Sequence, residues 1–431
     1  MKNKTVIFII TGVIAFLAIA LIIILLFINN QPQPYRGITP LVEIAEMEAD
    51  SAKWGINFPN QWSTLQKTKE NSTKTEFGGS VGHSKLEEDP RLVTLFAGYP
   101  FSKDYNDERG HMWSLEDVEA TKRVNEKTPG TCYSCKSSNN PQLWSNMGMA
   151  DYDKTPFSEL GQEIDQPIGC ANCHEANTMR LIVTNPALEE ALTAQGKDWR
   201  TFTRQEMRTV VCANCHVEYY FKGDGKYLTF PWENGTRIEN ISQYYQDLGF
   251  KDWDHLESGA EMIKMQHPEY EFFTADSTHY KAGVSCADCH MPYTRDGAAK
   301  FSNHNVQSPL VNPEAACGQC HTDVNYVVER VGIIQRSVRE AMDHAEDALV
   351  AAITAIEKAA SQESADAALL AEARNLHREA QLRWDFIAAE NSMGFHNPTE
   401  ALRILTIATD MARQAELKAY QAINDQAAAG Q

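Results

Sequence analysis

Hydrophobic and polar positions divide the chain into three kinds of sequence. After Lys2 and Lys4 it runs uncharged and largely apolar from Thr5 to Ile28, long enough to cross a bilayer. A cleaved signal has a shorter apolar core and a small-residue cleavage site. Ala18-Ile19-Ala20 is the one candidate for that site, and eight more apolar residues follow it. The expectation is an uncleaved membrane anchor at 1–30 and a linker at 31–36. The two lysines precede the span and Arg36 is the first positive charge after it. That asymmetry predicts a cytoplasmic N-terminus and an extracytoplasmic body, in the periplasm or on the outer face of the cytoplasmic membrane. From 37 to 322 no long period holds, which predicts loops, short helices and little β structure; "KYLTFPW" reads as a short strand.

A helical period sets in after that. Val327, Val331, Ile334, Val338, Ala341, Ala345, Ala348, Ala352 and Ile356 are spaced by threes and fours, predicting an amphipathic helix of about 50 Å from Val324 to about Lys358. Leu369, Ala373, Leu376, Ala380 and Ile387 predict a second, from Ser364 to Glu390. Asn397-Pro398, a capping residue followed by a first-turn proline, starts a third that runs to about Ala422. Residues 323–431 thus read as a long-helix region, either a self-contained three-helix bundle or a dimer face.

The net charge of −19 and pI near 5.1 argue against a nucleic-acid partner and name no substrate. The cysteines say more. All ten fall in five C-x-x-C pairs: Cys132/Cys135, Cys170/Cys173, Cys212/Cys215, Cys286/Cys289 and Cys317/Cys320. Disulfides and zinc compete as readings. Neither explains why histidine directly follows four of the five pairs, as His174, His216, His290 and His321. Covalent c-type haem requires that placement. Five motifs in about 190 residues are too dense for separate apolar cores, so the haems must supply much of the core. The fold class that follows is a mainly α multihaem cytochrome, with a haem-packed body at 37–322.

The fifth pair is followed by Lys136, which ligates iron only as the neutral amine. Electron-transfer haems fill both axial positions, whereas a catalytic haem keeps one open. The remaining histidines suffice for four distal ligands, and counting cannot select them. His344 and His377 read as surface residues of exposed helices; His83 and His255 have no distinguishing context.

One C-x-x-C-K among four C-x-x-C-H, together with "EDPRLVTLFAGYPFSKDYNDERGH", "CHVEYYF", "KMQHPEYE" and "HNPTEALRIL", resembles the pentahaem, ammonia-forming cytochrome c nitrite reductases over about residues 85–425. The resemblance implies five covalently attached haems c, with Lys136 as proximal ligand of the haem that binds nitrite on its other face. Tyr219, His267 and an arginine would surround that face. Arg109 and Arg123 compete for the last role, and alignment on "RGH" selects Arg123. His111, His279, His304 and His396 would be the distal ligands. A Ca²⁺ site would comprise the side chains of Glu218 and Gln266 and the backbone carbonyls of Tyr219 and Lys264, an all-oxygen set that suits calcium.

The implied reaction is six-electron reduction of nitrite to ammonium. The alternatives are a non-catalytic electron-transfer cytochrome, or a reductase of hydroxylamine or sulfite. The implied partners are a second copy of the chain, as homodimer, and an electron donor. That donor would be a quinol-oxidising membrane multihaem cytochrome or a soluble cytochrome.

Overall fold

The computed structural model describes residues 12–21 and 40–429, with side chains through 423. Most of the expected membrane anchor lies outside the described residues. Among the described residues no helix is long and apolar enough to cross a membrane. Residues 12–21 are helical, and ten residues rise about 15 Å, half the hydrocarbon thickness. The expectation of anchoring through an N-terminal transmembrane helix is corrected accordingly.

Residues 40–431 form one compact unit. Its longest elements are α1 (Val324–Ala360), α2 (Ala367–Ala389) and α3 (Pro398–Ala429). Aspartates start the first two: Asp323 accepts from the Tyr326 N–H at 2.9 Å, and Asp366 accepts from the Ala368 and Leu369 N–H groups. Each satisfies amides that the first helical turn leaves unpaired. α3 packs against both other helices. Alanines meet at one end of the three-helix contact, where Ala352, Ala355, Ala359, Ala373, Ala415 and Ala419 are all buried, so the backbones approach closely.

The helices are not a self-contained bundle. The second half of α2 is buried on all sides, and Leu382, Trp384 and Phe386 share one apolar core with Phe96, Tyr245 and Trp253 of the preceding segments. At the start of α1 the predicted stripe runs past the core: Val327 and Ile334 are only partly buried, and Tyr326 and Ile333 face out. A second core, around Tyr133, Tyr152, Leu188 and Trp232, lies under the first cysteine motif.

Strand structure among the described residues is limited to four two-stranded antiparallel ladders. The one that matters for the site pairs Tyr220–Lys222 with Tyr227–Thr229; its second strand lies in "KYLTFPW". Each cysteine motif is a single tight turn. His174, His216 and His321 donate their backbone N–H to the carbonyls of Cys170, Cys212 and Cys317 at 2.9–3.0 Å. One turn thereby gathers two thiols and an imidazole.

Candidate active site

The structure pairs each motif histidine with one distant in sequence. Ring centres lie 6.4 Å apart for His216 and His111, 6.3 Å for His174 and His304, 6.1 Å for His290 and His396, and 6.4 Å for His321 and His279. Two metal–nitrogen bonds of about 2 Å, plus about 1 Å from each nitrogen to its ring centre, require about 6 Å. The pairs therefore fit an iron between them.

The hydrogen bonds agree with that fit. His174 Nδ1 meets the Met179 carbonyl at 3.0 Å, His290 Nδ1 the Gln307 carbonyl at 3.1 Å, and His304 Nδ1 the Ser302 carbonyl at 2.8 Å. A carbonyl only accepts, so Nδ1 carries the proton and the Nε2 lone pair is left for a metal. Burial pulls His174 and His290 down to about 4, so both are neutral at pH 7. All ten cysteines are free thiols, as thioether formation requires. Thiols of different motifs are neighbours: Cys135 meets Cys215 and Cys212 meets Cys286, while Cys173 lies near Cys215 and Cys317 near Cys289. The motif of Cys212 and Cys215 is therefore a hub touching the first, second and fourth, and the fourth leads to the fifth.

Lys136 has no histidine partner. Its Nζ lies 2.6 Å from Glu108 Oε1, and His267 Nε2 lies 3.8 Å from that same oxygen. The Lys136 charge holds the Glu108 carboxyl well below the usual range. Iron binding uses the lone pair that the proton of this ion pair occupies, so metal and proton are alternatives on Lys136. On its other side, His267 Nδ1 lies 3.9 Å from Glu269 Oε1, and burial pulls His267 below its ordinary value. Tyr219 immediately precedes the hairpin strand Tyr220–Lys222 and stacks on Phe221. Burial pushes its phenol well up, with the nearby Arg123 charge working against the rise. Arg123 lies over the Phe101 ring at 4.1 Å, with Nε donating to Thr121 Oγ1 at 3.1 Å. Its rival Arg109 is committed elsewhere, paired with Asp117 and stacked on Trp113 at 3.8 Å.

A buried polar frame holds these parts together. Lys264 and Asp385 form a fully buried ion pair at 2.8 Å, and Met265 N–H donates to the other Asp385 oxygen at 2.9 Å, fixing the "KMQHPE" segment to α2. Glu218 has no exposed surface. It accepts from Tyr245 Oη at 2.8 Å and from the Gln266 N–H at 2.6 Å, tying that segment to the Tyr219 hairpin. Gln266 Nε2 lies 3.1 Å from the Lys264 carbonyl; a half-turn of the amide puts Oε1 beside that oxygen instead. Burial pushes Glu218 well up, and the neighbouring Glu271 and Asp252 carboxyls add to the rise. A bound cation would relieve that excess of buried negative charge. The oxygen donors fit Ca²⁺, with Glu218 and Gln266 as its side-chain ligands.

Two groups were missed or misjudged from sequence. Glu108 gave no signal beyond being one acid among several. His377 is fully buried, not a surface residue: its Nδ1 meets Ser258 Oγ at 3.1 Å and its Nε2 Gln381 Oε1 at 3.0 Å. His255, buried beside it, bonds the Thr94 carbonyl at 2.9 Å. Both are satisfied within the protein and far from the ligand pairs in role.

The family model described as cytochrome c552 matches residues 50–431. A cytochrome c-552 of Bacteroides fragilis is 43% identical over 388 residues, covering 87% of this chain and 78% of that relative. One of Maridesulfovibrio salexigens is 37% identical over 445 residues, covering 97% and 85%. Among solved structures, the catalytic subunit of cytochrome c nitrite reductase from Desulfovibrio desulfuricans, which has two calcium sites, superposes with a TM-score of 0.86 at 37% identity, covering 90% of this chain and 89% of that one.

Proposed function

Because the chain belongs to the cytochrome c552 family, we propose that it is a nitrite reductase, taking nitrite, six electrons and eight protons to ammonium and two waters. Its cofactors are haem c and Ca²⁺. One observation carries the reading. Four histidine pairs are spaced for six-coordinate iron, while the fifth motif offers lysine and faces Tyr219, His267 and Arg123 in place of a second ligand.

When bound, the Lys136 haem supplies the open iron position and the electrons; the chain supplies the rest. Lys136 is the proximal ligand, as the neutral amine. Arg123 attracts the anion against a net charge of −19 and opposes the charge that builds on oxygen as each N–O bond breaks. Tyr219 keeps its proton at neutral pH, since burial raises its pKa, and so donates a hydrogen bond. His267 lies within reach of the same space and relays protons one at a time. Ca²⁺ on Glu218, Gln266 and the carbonyls of Tyr219 and Lys264 fixes the two segments that carry Tyr219 and His267. His111, His279, His304 and His396 are the distal ligands of the four relay haems.

The chain works as a homodimer joined through its long helices. The outward Leu402, Leu417 and Tyr420 of α3 support that face. An external cytochrome, membrane-bound multihaem or soluble, donates the electrons. The test is ammonium formed per nitrite consumed with reduced methyl viologen as donor, alongside the spectrum of the oxidised protein. One high-spin haem among low-spin ones, perturbed by nitrite, is expected. Uniformly low-spin haems and no ammonium would make the chain an electron conduit.

A further inference from the structure

The axial histidines differ in what lies behind them. His174, His290 and His304 all set Nδ1 against a backbone carbonyl. His216 has a carboxylate nearby, Glu269, but at 3.7 Å, beyond hydrogen-bond length. Among the described residues only His396 has a carboxylate in hydrogen-bond contact: its Nδ1 lies 3.1 Å from Glu390 Oε2.

Glu390 is built for that position. It is the first residue after α2 and its side chain is fully buried. The loop that leads from it to α3 folds around the carboxylate. Gly394 N–H donates to Oε1 at 2.6 Å, Ser392 N–H to Oε2 at 3.1 Å, and Ser392 Oγ lies 2.9 and 2.7 Å from the two oxygens. His396 is the remaining donor. Donors on every side select a group that only accepts, which an ionised carboxylate is and an amide is not.

We propose that Glu390 lowers the reduction potential of the haem held by His290 and His396, acting as a positioning residue through His396. A carboxylate draws the Nδ1 proton more strongly than a carbonyl does and puts more electron density on Nε2. A more basic ligand stabilises Fe(III) relative to Fe(II). The step is a single electron gained or lost by iron; no bond is made or broken, and the proton stays between His396 and Glu390. The electron comes from the external donor through neighbouring haems. The motif of Cys286 and Cys289 lies between that of Cys212 and that of Cys317. A low potential there makes this haem pass electrons to its neighbours rather than hold them. The inference rests on the haem reading above, but not on nitrite as substrate.

The experiment is a dithionite titration of full-length protein carrying all its haems, with each low-spin signal followed by electron paramagnetic resonance. Glu390→Gln should shift the Fe(III)/Fe(II) balance of one haem at least tenfold towards Fe(II), a rise of about 59 mV for one electron, and leave the other low-spin haems in place. Ser392→Ala removes a competing donor from the carboxylate and should move the same haem the opposite way. Opposite shifts confined to one haem establish the role, because a purely structural disturbance would not reverse sign. If Glu390→Gln fails to retain its haems, Ser392→Ala decides: a fall supports the proposal and no change overturns it. Unchanged potentials in both variants, or equal shifts at every haem, also overturn it. Absence of the fourth haem from the wild-type protein would instead strike the haem reading.

Discussion

Replacing Glu218 by glutamine should abolish the response to calcium while scarcely changing stability without it. The carboxylate is fully buried and accepts two hydrogen bonds, from Tyr245 Oη at 2.8 Å and the Gln266 N–H at 2.6 Å. Glutamine has one acceptor oxygen, so one donor is left facing an NH₂ group. Losing a charge-assisted bond of this kind costs about 1.5–3 kcal/mol. Against that, the substitution removes a charge from a site crowded with acids. Burial pushes the neighbouring Glu271 up to about 8 and Asp252 up to about 6. Relief of an uncompensated buried charge is worth a few kcal/mol of the opposite sign, so the calcium-free change should stay within about 2 kcal/mol. The metal-dependent part has no such offset. At a calcium concentration a hundred times Kd the wild type gains about 2.7 kcal/mol, and the variant should gain almost none. Guanidinium denaturation of haem-loaded protein, in EDTA and at several calcium concentrations, separates the two quantities; nitrite turnover under the same conditions should fall in the variant and lose its calcium dependence. Equal calcium stabilisation of wild type and variant would refute the ligand assignment. A calcium-free loss above about 4 kcal/mol would refute the balance of buried charge against lost hydrogen bond.

His377 should make the protein acid-sensitive: burial, reinforced by His255, pulls it to about 3 in the folded state from an ordinary 6.5. The unfolded chain then binds the proton more readily, so stability present above pH 6.5 falls towards pH 3, by up to about 1.4 kcal/mol per pH unit. His377→Gln should flatten the slope of denaturation free energy between pH 6 and 4, and an unchanged slope would exclude His377 as its source. Lys136→His should keep every haem by pyridine haemochrome assay yet lower nitrite turnover tenfold or more, about 1.4 kcal/mol in the barrier; wild-type turnover would show the lysine to be incidental. Arg123→Gln should raise KM for nitrite about tenfold, a loss of anion attraction worth about 1.4 kcal/mol. Arg109→Gln, whose arginine is committed to Asp117 and Trp113, should leave KM unchanged, and the reverse outcome would exchange their roles.

The three long helices were legible because their burial repeats every three or four residues and because Asp323, Asp366 and the Asn397-Pro398 pair mark their starts. The motif turns were legible for a different reason: covalent chemistry fixes their spacing. The histidine pairings were not, since a distal ligand is a single residue whose partner is chosen by the tertiary path; nothing near His304 in sequence names His174. His377 misled because helical periodicity says which residues share a face but not what covers that face. Here His255 and Ser258, from a segment more than a hundred positions away, close over it. Glu108 was invisible for a related reason, its significance being only its nearness to Lys136 and His267. The uncharged run at the N-terminus suggested a span by length alone, and no described helix has the length to make one.

The histidine pairings also bear on how such a chain is assembled. His111 precedes its partner His216, whereas His304 and His396 come long after His174 and His290. The ligand sphere of the second motif therefore stays incomplete until the fourth motif has been made, and that of the fourth until synthesis reaches the start of α3. Loop closure over such separations is slow, so the nascent polypeptide must carry its early haems in half-finished pockets while the rest is produced. The last third of the gene product, which holds no cysteine after Cys320, thus acts as the latch. A ribosome that stalls before residue 396 would release a polypeptide with every attachment site present and one iron short of its sixth ligand, a species that quality control could recognise by its exposed, reactive haem.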